Sequence, residues 1–319
     1  MTSILLIATA LAAPGMAVAQ SYPTKPIRIV VVSTPGGSVD TLARTVGPKL
    51  AGRWNQQVLV DNRPGAGGAI AAEIVAKSPP DGYTLIMGTV ASFATNVSLR
   101  KSLPYDPVKD FSPISLVATQ NLMLLIHPSV PAKSVRELTA IAKKQPGVLS
   151  FASAGNGTGG HLSGELYKML AGVDLLHVPY KGVQPALIDV VSGQVSMTFA
   201  SIISAMPQVR NSRLRPLAVT GAQRSPAAKE LPTMIEAGVK GYESSTWYGL
   251  LAPAGTPADI VGKLSAEVVA ILKSPEMNDR LSKEGADPVG NTPAEFARHI
   301  QSEIEKWRKV IRAAGIQPN

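Results

Sequence analysis

Ile27, Ile29, Val30, Val31 and Val32 form a nearly continuous apolar run that stops at Ser33, Thr34, Pro35, Gly36 and Gly37. Apolar residues then recur at helical spacing as Val39, Leu42, Ala43, Val46 and Leu50. Such a run reads as a strand buried on both faces of a parallel sheet, and the recurring residues as a helix laid back over it. Ser38 is placed to cap the first helical turn. Strand, glycine turn and helix together aim unpaired N–H groups and the positive end of a helix dipole at one point, which favours a carboxylate, phosphate or sulfate. The device recurs in Asn62 to Gly68 (NRPGAGG) and Ala154 to Gly160 (AGNGTGG), so the chain reads as a holder of a small anion.

Alternation of this kind implies an α/β fold, with ligands held outside the carboxyl ends of parallel strands. Further strands are expected at Val58 to Val60, Tyr83 to Met87, Leu122 to Ile126, Leu149 to Ala152, Leu175 to Val178, Val195 to Phe199, Arg215 to Thr220 and Trp247 to Ala252. Helices are expected over Ala69 to Ala76, Ser134 to Lys144, His161 to Leu170, Pro185 to Ser192 and Ala205 to Arg210. The last helix is announced by Thr292 and Glu295 as a capping box, Pro293 at its first position and a stripe of Phe296, Ile300, Ile304, Trp307 and Ile311. The chain of 319 residues is long enough for two cores. A crossing near Leu122 to Ile126 and a return near Trp247 divide it into 20–122 with 247–319 as one domain and 123–246 as the other.

The charge balance of 31 Lys plus Arg against 22 Asp plus Glu gives +9, without a basic block or interleaved aromatics, so nucleic acid is not the expected partner. The absence of cysteine excludes disulfides, thiol catalysis and thiolate metal sites. Ile4 to Ala13 is an apolar run, and Ala17, Val18 and Ala19 precede Gln20 in the small-x-small pattern of signal cleavage. Residues 1–19 therefore read as a signal peptide and the compartment as periplasmic.

Gly155, Gly157 and Gly160 satisfy G-x-G-x-x-G, the dinucleotide fingerprint. The acidic residue that should follow the next strand is missing, since Val178 leads to Pro179 and Tyr180. Simple anion capture is the preferred reading, and an exported α/β enzyme holding a nucleotide on this loop is the alternative. There is no G-x-S-x-G elbow, the lone S-x-x-K pair of Ser98 and Lys101 lacks its companion motifs, and His127, His161, His177 and His299 are scattered. Neither catalytic residues nor a metal or cofactor are expected. His161, at the start of the helix after the glycine loop, reads as an anion donor or as a packing histidine. Asp40 reads as a ligand contact or as a first-turn acid stabilising its helix, with the second favoured. Lys181 reads as a counter-charge for a second carboxylate or as an ordinary surface lysine.

Six stretches, PGGSVDTLAR (35–44), NRPGAGG (62–68), PDGYTL (80–85), SAGNGTGGHLSGEL (153–166), HVPYKG (177–182) and WYGLLAPAGTP (247–257), together resemble the substrate-binding receptors of tripartite tricarboxylate transporters, the Bug-type extracytoplasmic solute receptors. The resemblance covers essentially all of the mature chain. It implies a two-domain, clamshell periplasmic binding protein, each domain a mainly parallel sheet flanked by helices, that acts as a monomer and delivers a small carboxylate to a membrane permease. It implies one wall with Gly36, Gly37, Gly68, Thr89, Ala91 and Ser92, and another with Gly155, Asn156, Gly157, Thr158, His161 and Ser201. Two pocket positions depart from the family pattern: Ser33 stands where an aromatic residue is common, and Ala200 where an acid is common. The departures favour a dicarboxylate or aromatic acid over an amino acid, because a buried ammonium needs an acceptor. A receptor repurposed for signalling is a third reading.

Export places the mature terminus at Gln20. The intact mass of protein from a periplasmic fraction is expected to begin there; full-length protein confined to the cytoplasm would contradict the export reading.

Overall fold

Leu122–Ile126, expected as a strand of its own, is the end of a sixteen-residue strand in the computed structural model, which describes residues 22–283, 285–313, 315, 316 and 318. The signal-peptide reading lies outside those residues. The strands are β1 (Ile27–Val31), β2 (Val58–Asn62), β3 (Thr84–Thr89), β4 (Phe111–Ile126), β5 (Ser150–Ser153), β6 (Leu176–Pro179), β7 (Met197–Ser201), β8 (Arg215–Val219), β9 (Ser245–Pro253) and β10 (Ala286–Pro288). The helices are α1 (Ser38–Trp54), α2 (Ala69–Ala76), α3 (Asn96–Leu99), α4 (Val135–Lys144), α5 (Gly159–Ala171), α6 (Val183–Val191), α7 (Ile202–Arg210), α8 (Ala258–Leu272), α9 (Pro275–Lys283) and α10 (Pro293–Ala313), with a π-turn at Ala91–Thr95.

Two sheets share β4. Its first part, from Phe111 to Asn121, pairs with β9, and β10 lies on its other edge; its last part, from Leu122 to Ile126, pairs with β7 and β8. The full order is β2-β1-β3-β9-β4-β7-β5-β6. The α/β units expected from the glycine loops are the parallel triplets β2-β1-β3 and β6-β5-β7, whereas β9 and β4 run antiparallel to the strands they join. Sequence gave no warning of Phe111 to Asn121 as strand. The register shifts between Pro113 and Ser115 and again between Leu116 and Ala118, and two bulges break the period of two on which strand recognition rests.

β1 shows why its apolar run is continuous. Ile27, Ile29 and Val31 pack with Leu42, Val46, Leu250 and Val268 on one face of the sheet, while Val30 packs with Ile86, Phe93, Leu251 and Phe296 on the other. The second sheet is likewise covered on both faces, by a cluster around Phe151, Phe199 and Tyr242 and by one around Met123, Leu125 and Val190. Each fully buried Val, Leu or Ile contributes roughly 1.5–3 kcal/mol.

The last helix begins with its capping box: the Thr292 N–H donates to Glu295 Oε2 at 2.8 Å and the Glu295 N–H to Thr292 Oγ1 at 3.3 Å. Its stripe is buried against the first sheet, with Phe296 edge-on to Trp247 at 5.8 Å. Ser38, by contrast, does not cap α1. Gly37 holds the N-cap position, and the Ser38 hydroxyl crosses to the second sheet, where it meets Ser201 Oγ, and Ser204 Oγ at 3.2 Å.

One buried carboxylate ties α10 to the return strand. Glu303 Oε2 accepts from Trp247 Nε1 at 3.0 Å and from Trp307 Nε1 at 2.8 Å, and Glu303 is buried. Glu303→Ala leaves two indole N–H groups without partners and is expected to cost about 2–4 kcal/mol, whereas Glu303→Gln keeps an acceptor and is expected to cost about 1 kcal/mol or less. Urea unfolding of both variants checks this; equal losses would mean that the two hydrogen bonds carry no special weight.

Candidate functional site

The carboxyl ends of the parallel strands in both sheets open onto one cleft. β1 delivers Val32 and Ser33, β3 delivers Thr89 and Ala91, β5 delivers Ala154 and Thr158, β6 delivers Lys181, and β7 delivers Ala200 and Ser201. This is the position that open parallel sheets assign to ligands. The N-termini of α1, α5, α6 and α7 all lie on the lining, through Ser38 and Val39, Gly159 and Gly160, Gly182 and Val183, and the cap residue Ser201. Each contributes unpaired N–H groups and a partial positive charge. Among the described residues Lys181 is the one charged side chain on the lining, and none is acidic. The helix N-termini and Lys181 thus favour an anion in this cleft.

The structure brings Ser33, Gly68, Thr89, Ala91, Thr158, Lys181, Ala200 and Ser201 together around this cleft. It keeps Gly36, Gly37, Asp40, Ser92, Gly155, Asn156, Gly157 and His161 off the lining, each for a physical reason. Asp40 is buried, and its carboxylate accepts from the Gly36 N–H, Arg44 Nε and Asn62 Nδ2, each at 2.9 Å. It braces the turn from within and has turned away from the cleft. Gly37 closes that turn, its N–H donating to Thr34 O at 3.1 Å. The Gly36 carbonyl accepts from Gln184 Nε2 at 2.8 Å. Ser92 Oγ is spent on Thr89, accepting from its N–H at 3.0 Å.

In the glycine loop after β5, Gly157 is also engaged internally. The Gly157 N–H donates to His161 Nδ1 at 3.0 Å, and the Gly157 carbonyl accepts from Thr95 Oγ1 at 2.7 Å. A side chain at Gly157 would meet Thr95 Oγ1 at 2.7 Å and its φ is +76°, so both the contact and the backbone require glycine. Gly155 and Asn156 face a separate small hollow beside Arg100 and Tyr180.

Thr95 with Gly157, Gln184 with Gly36, and Ser38 with Ser201 and Ser204 are hydrogen bonds between the two walls. Sequence reasoning missed Ser38, Val183, Thr198, Thr246 and Tyr248 on the lining. The first two were legible as the opening residues of helices after glycine loops. Thr246 and Tyr248 share one face of β9, a signal available only once that strand was known to run along the cleft.

The chain matches the model of a family described as tripartite tricarboxylate transporter family receptor over residues 42–316. Protein BugT of Bordetella pertussis is 36% identical over 313 residues, spanning 98% of this chain and 95% of that one. Among solved structures, R. palustris Rpa4515 with adipate is similar at a TM-score of 0.92 and 41% identity, covering 93% of this chain and 100% of the other. MatC from Rhodopseudomonas palustris with bound malate is similar at a TM-score of 0.85 and 34% identity, covering 91% and 100%.

His161 and His177 stack under the glycine loop with ring centroids 4.1 Å apart, and His177 Nε2 lies 2.7 Å from Ser153 Oγ. Burial, then Lys168, pushes His161 down to about 4; burial, then His161 and Lys168, pushes His177 down to about 3. Both rings stay neutral in the fold well below the pH at which an unfolded histidine takes up its proton, about 6.5. Between about pH 6.5 and 4 the unfolded chain therefore binds more protons, and stability falls as pH falls, by up to roughly 1.4 kcal/mol per unit for each histidine. His177→Phe keeps a ring in the stack and is expected to flatten this part of the profile relative to the parent. Urea midpoints at pH 7, 6 and 5 for the two proteins check it; parallel profiles would show that the pair does not carry the acid sensitivity.

Proposed function

Because the chain belongs to the tripartite tricarboxylate transporter receptor family, whose members are solute-binding receptors and not enzymes, we propose that it captures a small dicarboxylate or aromatic carboxylate in the periplasm and hands it to a tripartite-type membrane permease. The observation that carries the reading is the convergence of helix N-termini from both sheets on a cleft whose described lining holds no acidic side chain. The similar structures with adipate and malate support the carboxylate class. The site residues we propose are the eight that share the cleft, with Ser38 and Thr246 added; Asp40, His161 and Gly157 support the loops from behind.

Discrimination against amino acids follows from the same lining. An ammonium enclosed here meets hydroxyls, backbone groups and Lys181 but no carboxylate, and an unpaired buried charge costs several kcal/mol. Ala200 lies on the lining where an acidic residue would have served. A nucleotide on the GNGTGG loop is disfavoured, since the N–H and carbonyl of its central Gly157 are engaged by His161 and Thr95.

Residues 20–122 with 247–319 and residues 123–246 are the two bodies we propose to close on the ligand, with the chain acting as a monomer. β4 and the start of β9 are the segments that join them. A ligand that touches both walls favours the closed state by its differential affinity.

Calorimetry against succinate, adipate, benzoate, aspartate and glutamate tests the reading. The acids without an α-amino group are expected to bind at least about tenfold tighter, a difference of about 1.4 kcal/mol, and scattering is expected to show compaction with them. Tighter binding of aspartate or glutamate would reject the selectivity argument, and binding without compaction would reject closure.

A further inference from the structure

We propose that Thr95 is a positioning residue for binding: its hydroxyl clasps the first body to the glycine loop of the second as the cleft closes, and so strengthens every ligand by one common factor without touching any of them. The inference rests on the two-body receptor reading above.

The turn of helix from Thr95 to Leu99, with Arg100 as its C-cap, carries two pairs of residues four apart, the spacing that puts side chains on one face. Thr95 and Leu99 meet Gly157 of the second body. Thr95 Oγ1 donates to the Gly157 carbonyl at 2.7 Å, and a Cβ at Gly157 would come within 2.5 Å of Leu99 Cδ1. Asn96 and Arg100 hold the glycine loop of the first body. Asn96 Nδ2 donates to the Gly67 carbonyl at 3.2 Å and Arg100 Nη2 to the Ala66 carbonyl at 2.8 Å. One turn of helix therefore grips both glycine loops.

Both loops need a grip from outside. Gly65, Ala66, Gly67 and Gly68 have φ of +118°, +54°, +61° and +87°, and Ala66 holds its left-handed conformation against a steric cost that surrounding contacts must offset. In the second body the Gly157 N–H donates to His161 Nδ1 at 3.0 Å, which fixes the peptide whose carbonyl Thr95 meets.

Thr95 is fully buried, and Thr95, Asn96, Leu99 and Arg100 all lie off the cleft lining. The hydroxyl has a second, longer acceptor in its own body, the Ala91 carbonyl at 3.5 Å, to which it can turn when the bodies part, while the Gly157 carbonyl is then free to meet water. The bond across the seam thus belongs to the closed state. A contact made on closure and remote from the ligand acts on the closing equilibrium alone, and it multiplies all affinities equally. Its loss leaves the Gly157 carbonyl unsatisfied in the closed state only, which is expected to weaken binding by roughly two- to tenfold.

The test measures adipate and succinate by calorimetry, and urea midpoints without ligand, on the mature protein and on Thr95→Val, Thr95→Ala and Thr95→Ser. Thr95→Val keeps the shape and removes the hydroxyl. It is expected to weaken both acids by the same factor, roughly fivefold, with faster dissociation of each by stopped flow and an unchanged ligand-free urea midpoint. Thr95→Ala is expected to weaken both acids equally too, and decides the matter should Thr95→Val fail to fold. Thr95→Ser is expected to restore most of the affinity. Unchanged affinities with a lowered urea midpoint would show a bond made with or without ligand and overturn the clasp. So would a loss confined to one acid, or a Thr95→Ser variant as weak as Thr95→Val. A parent that binds both acids without compaction by scattering would remove the closure reading while leaving carboxylate capture standing, and a parent that binds neither would remove the receptor reading itself; this inference falls with either.

Discussion

The shared strand β4 is the constraint on which the rest of the structure depends. Its backbone hydrogen-bonds to β9 over Phe111 to Asn121 and to β7 and β8 over Leu122 to Ile126, so one continuous ladder belongs to both sheets. Because parallel triplets flank it on either side, the carboxyl ends of β1 and β3 and those of β5, β6 and β7 discharge into the same space. Helix N-termini follow those strand ends by chain connectivity alone. The electropositive character of the cleft is therefore a product of topology, and among the described residues Lys181 adds the one side-chain charge on its lining.

That division of labour explains why the polar side chains nearest the loops are turned inward. A turn made of glycines has little to hold it, and Asp40 supplies the missing partner by accepting from the Gly36 N–H while Arg44 and Asn62 satisfy its other oxygen. His161 does the same for Gly157. Groups placed to rigidify a loop keep its remaining N–H groups aimed, which is the supporting role that binding sites demand of the residues behind them. The two imidazoles perform it as neutral rings, since burial disfavours their charged forms.

Much of the fold was legible because it rests on patterns with a fixed physical period. The apolar run at β1, the helical stripe of α10 and its capping box have direct counterparts in the structure. Phe111 to Asn121 was not legible, since two bulges disturb the alternation and Pro113 sits in a strand. Ser38 was read as a local cap and is instead a contact between the sheets. A hydroxyl at a helix start satisfies either geometry, and the choice depends on what stands opposite.

By itself the sequence determined the α/β class, the three glycine turns, the identity of the strands that carry them and the resemblance to carboxylate receptors. These depend on local propensities and on spacings within a few residues, where the chain's own covalent geometry leaves few options. Which residues face the cleft was decided by tertiary structure. Thr158 and Gly157 are neighbours in one loop, yet the first lies on the lining and the second is buried against Thr95, sixty-two residues away in the chain. Lys181 is the single charge on the described lining, and it stands beside Gly182, which lies against Thr34 from a distant part of the chain. Contacts of that range are set by how two sheets pack around a common strand, and no local period in the sequence encodes them.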